Sequence, residues 1–148
     1  MNPEINADKD KLLTLWDQTI GAGPVASQIR DIDELFTQGD FSPTKYATCI
    51  DRVRVLIVEI LKGIAHAISR ERQDGKITDA SSEHGVFDYL RGCKFLGDDE
   101  WNMVRALHGI ASDQGAHQMV ASREYARITK NMAYEVALLA LTKFAGRR

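Results

Sequence analysis

The most restrictive feature of this sequence is one apolar stripe that continues through a segment of about thirty residues, from 43 to 72. Apolar side chains recur there at every third or fourth position, at Tyr46, Ile50, Val53, Ile57, Leu61, Ile64 and Ile68. This period places them on one face of an α-helix. Because such a helix is much longer than the ~11–12 residues of an average globular helix, we expect it to span the domain.

Shorter patterns of the same kind occur on both sides of this segment. Asn6 or Asp8 can cap a first helix, which GAGP at 21–24 ends. Its apolar positions are Leu12, Leu13, Trp16 and Ile20, and those of a second helix are Val25, Ile29, Ile32 and Phe36. Further helices are predicted after Ser82, after Gly97 and after Ser122. The pattern predicts an all-α protein, a single helical bundle of about five to six helices.

The chain of 148 residues is 44% hydrophobic, which is enough for one domain with a true core. We expect residues 1–148 to form that single domain, with N-terminal helices in 1–40 packed on a core formed by 42–146. Lys and Arg number 19 against 21 Asp and Glu, a net charge of −2. This balance does not indicate a general polyanion-binding surface, although it leaves room for a local basic patch.

The sequence favours a cytoplasmic protein that does not associate with membranes. Its start, MNPEINADKDK, lacks the apolar core of a signal peptide, and no apolar run approaches the ~20 residues that a bilayer requires. Cys49 and Cys93 fit no metal or redox spacing, so we expect free thiols in the interior. The four histidines show no HxxxH or HExxH spacing, and we predict neither a metal nor another cofactor.

The segment SDQGAH at 112–117 interrupts the helical pattern with a glycine and a histidine. Gly115 allows a sharp turn after the fifth helix, and Ser112 and Asp113 suit the same turn. His117 either hydrogen-bonds this loop to a neighbour or transfers protons near neutral pH, since its ordinary pKa is about 6.5. A serine triad is rejected, because residues within one tight turn do not align as nucleophile, base and acid.

The last predicted helix is apolar almost all round. Tyr125, Ile128, Met132, Val136 and Leu139 lie on one face, whereas Leu138, Leu141 and Phe144 point elsewhere. Such a helix is either central in the bundle or shared with a second subunit. We expect Leu138, Leu141 and Phe144 to form an interaction surface.

Two polar patterns accompany the long helix. Arg52, Glu59 and His66 are spaced by seven residues, and such a stripe is usually a solvated face. Arg54 lies at the edge of the apolar stripe and can reach an acid such as Glu135 on the last helix. A pair of this kind is more often structural than functional.

Two segments of the chain resemble bacterial HEPN-type and abortive-infection C-terminal domains. ATCIDRVRVLIVEILKGIA is similar to their long helix, and SDQGAH with SREYARITKNMAYEVALLAL is similar to their closing half. The resemblance covers roughly residues 30–145 and is strongest to bacterial proteins ending in an S-D-x-G-x-H…S-x-x-E-Y-x-R segment. It implies a four-helix core with two long helices that pairs into a homodimer.

The resemblance also implies a site. In active HEPN proteins an arginine and a histidine, four to six residues apart, meet across the dimer and cleave RNA without a metal. His117 matches the family histidine, and Asp113 takes the place of the polar residue after the family arginine. Ser112 stands where that arginine belongs, with Arg105 and Arg123 as substitutes for contacting RNA or a nucleotide.

Three hypotheses follow from these observations. The first is a dimeric HEPN-like module that binds RNA or a nucleotide in a bacterial defence or stress system and lacks the standard ribonuclease activity. The second is a metal-independent endoribonuclease that uses His117 and Asp113. The third is a bundle that docks a partner protein through its last helix and binds no nucleic acid.

Overall fold

In a computed structural model, residues 3–21, 23–38, 43–116 and 123–147 are described; they form six α-helices and contain no strand. The helices are α1 (Pro3–Thr19), α2 (Val25–Gln38), α3 (Pro43–Arg72), α4 (Glu83–Gly92), α5 (Asp98–Ala116) and α6 (Arg123–Ala145). Side-chain surroundings are described for residues 7–21, 23–37, 44–111 and 123–147. The predicted all-α bundle is confirmed.

Helix α3 is the centre of the bundle, and α2, α4, α5 and α6 all pack on it. Its bounds, Pro43–Arg72, agree with the segment predicted from the apolar stripe. All seven stripe residues are buried, from Tyr46 at one end to Ile68 at the other. Cys49, Leu56 and Ile60 are buried as well, so α3 is covered on more than one side.

The N-terminal helices attach to different parts of this core, since α1 packs mainly on α6 whereas α2 packs on α3. Helix α1 begins at Pro3, earlier than the caps predicted at Asn6 or Asp8. A proline is well tolerated at the first helical position, where its missing N–H has no partner to lose. The predicted break is confirmed: Gly21 and Gly23 have φ angles of 68° and 89°, which glycine adopts without strain.

The connection from α3 to α4 is polar but firmly held. Asp74 accepts hydrogen bonds from Ser69 Oγ at 2.5 Å, from Tyr89 Oη at 2.6 Å and from the backbone N–H of Lys76 at 3.0 Å. Ser82 caps α4 as predicted, because its side chain accepts the N–H of Gly85 at 3.0 Å. These contacts fix α4 against the end of α3.

Helices α5 and α6 lie side by side and run in opposite directions. The start of α5 meets the end of α6, where Lys143 Nζ donates to Glu100 Oε1 at 2.6 Å and to the carbonyl oxygen of Phe95. The hydrogen bond from Lys143 lowers the pKa of the Glu100 carboxyl. No helix in the described ranges is long and apolar enough to cross a bilayer.

Candidate functional site

The residues predicted to carry chemistry fall at the junction of α5 and α6. Helix α5 continues to Ala116 and therefore includes Ser112, Asp113 and Gly115. The expected turn at Gly115 is wrong, because a glycine costs a helix only about 1 kcal/mol and the surrounding pattern continues it. His117 lies outside the described residues, and the side chains of Ser112 and Asp113 lie outside the described side chains.

The two candidate arginines are on different helices, and no contact within the described part of the chain joins them. Arg105 is exposed on α5. Arg123 is the first residue of α6, and its guanidinium carbon lies 4.6 Å from the centre of the Phe36 ring. A cation at this distance from an aromatic face is held by the ring quadrupole. Arg123 thus contacts α2, a neighbour that the sequence did not indicate.

The interaction surface expected at Leu138, Leu141 and Phe144 is not on the surface. Leu141 is fully buried, Phe144 is 2% exposed, and Leu138 packs against the core. The buried face of α6 also carries alanines, which allow close approach to neighbouring helices; they are Ala126, Ala133, Ala137 and Ala140. Close packing on this small-residue face therefore directs the larger apolar stripe outward.

The opposite side of α6 and the adjacent side of α5 present an apolar surface to solvent. The large side chains exposed there are Met103, Ile110, Tyr125, Ile128, Met132 and Leu139. We call this set the α5–α6 face. Met103 and Leu139 line one shallow crevice together with Val136 and Ala140, so apolar side chains of the two helices are neighbours there.

The size of the α5–α6 face distinguishes it from scattered surface hydrophobes. Its six side chains are 37–49% exposed. Side chains of this size at this exposure present on the order of 500 Å² of apolar area, near the upper end of the roughly 300–600 Å² of the largest patch on a typical monomer. Such patches usually mark a binding surface.

A second cluster joins three helices through one carboxylate. The Oε1 atom of Glu83 accepts from Arg54 Nη1 at 2.5 Å, and its Oε2 atom lies 2.9 Å from His108 Nε2. Arg54 also contacts Asp51, and its pairing with Glu135 on α6 stays a prediction. Glu83 is at the start of α4, and the sequence alone did not indicate that it would contact α3.

The electrostatics of this cluster suit a structural role. Burial acts to raise the pKa of Glu83, but the hydrogen bond from His108 and the charge of Arg54 outweigh it, so that pKa is lowered. The His108 ring packs edge-on against Phe87, with ring centres 5.4 Å apart. Arg54, Glu83 and His108 therefore tie α3, α4 and α5 together.

A third cluster lies where α1, α2, α3 and α6 meet. Asp33 accepts from Lys9 Nζ at 2.8 Å and from Tyr134 Oη at 2.9 Å, and Lys130 Nζ lies 3.8 Å away. Burial lowers the pKa of Lys130 and raises the pKa of Tyr134. Cys49 lies nearby, and burial raises its thiol pKa to about 11.

These contacts assign the third cluster to the scaffold. The Asp33 carboxylate neutralises charges from both α1 and α6, which leaves it little hydrogen-bonding capacity for a ligand. Cys49 and Cys93 are free thiols; Cys49 is buried as predicted, whereas Cys93 is half-buried. The raised pKa of the Cys49 thiol makes it a poor nucleophile. In the described part of the chain, no group of three His, Cys, Asp or Glu side chains is arranged to hold a metal.

Comparisons with family models, with curated proteins and with solved structures found no match to this chain. The resemblance to HEPN-type domains therefore stays a prediction, and the assignment of function depends on the geometry above.

The feature that sequence reasoning missed is the outward orientation of the Tyr125–Leu139 stripe. The sequence contains one signal of this orientation. Glu135 interrupts the Tyr125–Leu139 stripe, whereas the buried positions of α6 between Ala133 and Leu141 carry no charged residue. A charged residue within an apolar stripe favours the solvent side.

Proposed function

We propose that this protein is a helical interaction module that pairs with a second copy through the α5–α6 face. The observation that carries the proposal is the set of six large apolar side chains exposed on two adjacent helices. With its polar rim, a face of this size approaches the ~800 Å² per partner of a stable interface. The homodimer predicted from the sequence is retained, but on a different surface.

The spacing on α6 favours a second copy over an unrelated partner. Tyr125 and Leu139 lie at equal distances along the helix from Met132, seven residues on each side. A two-fold axis near Met132, with the two α6 helices antiparallel, would place Tyr125 opposite Leu139 of the second copy. Self-complementary patches of this kind are what a symmetric dimer requires.

Sedimentation equilibrium of the wild type and of an Ile128→Asp variant tests the proposal. We expect a wild-type dimer at micromolar concentration and a monomeric variant. Burying an isoleucine contributes roughly 1.5–3 kcal/mol, and a symmetric interface contains the residue twice. The dissociation constant of the variant dimer should therefore be at least about 100-fold higher than that of the wild type.

Ala26→Asp is the matched control, because it adds the same charge to an exposed site on α2, outside the face. Circular dichroism establishes that both variants are folded. A wild type that stays monomeric at 100 µM, or an Ile128→Asp variant that still pairs, would contradict the proposal.

A role in binding RNA or a nucleotide, with or without cleavage through His117, stays a separate prediction. In its favour, Arg123, Arg127 and Lys130 lie on one side of α6 at helical spacing. Against it, Lys130 already contacts Asp33, and Arg127 donates to Glu124 Oε2 at 2.9 Å. The local charge is therefore largely neutralised, and the apolar face supports assembly better.

A further inference from the structure

A surface cleft of about 480 Å³ is lined by none of the α5 or α6 residues. Its floor is the central part of α3, one wall is the end of α1 with the following turn, and the other wall is the α3–α4 connection. Helix α1 packs mainly on α6, and its Trp16 side chain contacts α3 at Gly63. The part of α3 beside this contact stays uncovered and forms the floor of the cleft.

The floor of the cleft depends on Gly63. A Cβ atom at this position would lie 2.5 Å from Trp16 Cη2 and 3.3 Å from Ile20 Cγ2. The absence of a side chain therefore lets the indole lie directly on α3, where it is buried, and the half-buried Ile20 gives the cleft an apolar side chain. A ligand of about this volume with an apolar centre would fit the size range of small-molecule sites, roughly 300–1,000 Å³.

Three of the five ionisable residues that line the cleft hold its wall. Lys62 Nζ donates to the carbonyl oxygens of Asp79 at 2.7 Å and Ser81 at 3.2 Å. His66 Nε2 lies 3.3 Å from Asp79 Oδ1. These contacts bind the α3–α4 connection to α3, so Lys62, His66 and Asp79 are not the groups that would select a ligand.

The remaining two charges are open and of opposite sign. Among the described residues, neither Glu59 nor Arg70 has a hydrogen-bonding or ion-pairing partner. They lie on the same side of α3 and are separated by eleven residues, about 16 Å along the axis. A ligand that satisfies both must carry a cation at one end and an anion at the other.

We propose that this cleft binds a short peptide of about three to five residues, with its terminal ammonium on Glu59 and its terminal carboxylate on Arg70. An extended peptide spans ~3.3 Å per residue, so this length covers the separation after allowance for the reach of both side chains. An apolar residue in the middle of the peptide would lie over Ile20. A nucleotide fits less well, because Arg70 is the one open cation among the described residues that line the cleft.

The test uses the peptide Gly-Ala-Leu-Ala-Gly and amide chemical shifts of the ¹⁵N-labelled protein. We expect shifts at Gly63 and at neighbouring residues of α3, with saturation in the millimolar range or below. Glu59→Gln and Arg70→Gln should each weaken binding at least about five-fold. Arg72→Gln and Asp88→Asn, which alter exposed charges outside the cleft, should leave the dissociation constant unchanged.

Modified peptides assign each terminus to its residue. N-acetylation of the peptide should weaken its binding to the wild type, and Glu59→Gln should not weaken binding of the acetylated peptide further. C-amidation should likewise weaken binding to the wild type, and Arg70→Gln should not weaken binding of the amidated peptide further. Binding that ignores both variants, no shifts at 10 mM peptide, or a stronger response to adenosine monophosphate would overturn the proposal. Because the cleft is remote from α5 and α6, none of these outcomes depends on whether the protein dimerises.

Discussion

At the scale of single residues, the polar side chains act mainly as joints between helices. Asp74 is the clearest example, because it follows α3 and binds both Ser69 on that helix and Tyr89 on α4. These hydrogen bonds, from Ser69 first, lower the pKa of Asp74 to about 2. Burial, together with the adjacent carboxylate, raises the pKa of Tyr89 to about 12.

Asp74→Asn should therefore reduce stability in a pH-dependent way. A carboxyl with a pKa lower in the folded than in the unfolded state stabilises the fold above its unfolded pKa of 3.8, and this contribution is lost as the pH falls towards 2. We expect a lower melting temperature for the variant at pH 6 and a smaller difference near pH 2. Thermal unfolding followed by circular dichroism measures both.

Asp88→Asn supplies the comparison, since it removes an exposed carboxylate from α4, outside the Asp74 contacts. Its melting temperature should follow that of the wild type throughout. A constant difference between Asp74→Asn and the wild type from pH 6 to pH 2 would show that the ionised carboxylate is not what stabilises this joint.

At the scale of helices, two glycines at helix-interior positions have opposite surroundings. Gly63 on α3 lies beneath the buried Trp16, whereas a Cβ atom at Gly109 on α5 would meet no atom within 4 Å. Replacing a helical glycine by alanine stabilises a helix by up to about 1 kcal/mol when space allows. Forcing a methyl group into a packed contact costs about 1–3 kcal/mol.

The two glycine-to-alanine substitutions should therefore change the free energy of unfolding in opposite directions. Gly109→Ala is expected to raise the free energy of unfolding by up to about 1 kcal/mol. Gly63→Ala is expected to lower it by about 1–2 kcal/mol, because the clash with a nearly immobile indole exceeds the gain in helix propensity. Urea denaturation measures both, and a stabilised Gly63→Ala variant would mean that Trp16 moves aside at little cost.

The helices also show what local patterns can predict. The bounds of α3, the break at 21–24 and the Ser82 cap follow from helical period, glycine and a capping side chain, all of which act within a few residues. The end of α5 does not, because the cost of Gly115 in a helix is small enough for neighbouring residues to override. The contact between Arg54 and Glu83 was not predicted either, because Glu83 is remote in sequence and reaches α3 through the α3–α4 connection.

At the scale of the whole molecule, the proposed dimer makes stability depend on protein concentration. Association stabilises the folded state by mass action, so a tenfold rise in concentration should raise the melting temperature of the wild type by about 2–3 °C. The Ile128→Asp variant should melt at one temperature at every concentration. Scanning calorimetry over a hundredfold range of concentration distinguishes the two, and equal behaviour would argue against association through the α5–α6 face.

The amino-acid sequence by itself determined that this protein is a bundle of helices around α3, since an apolar period of 3.6 residues has one structural solution. Only the tertiary structure decided which side of α6 is buried. Both sides are apolar, and the choice depends on how closely Ala133, Ala137 and their neighbours let α6 approach the other helices. Likewise, the cleft between Glu59 and Arg70 depends on α1 packing against α6 and leaving α3 uncovered, and such distant contacts leave no local pattern in the chain.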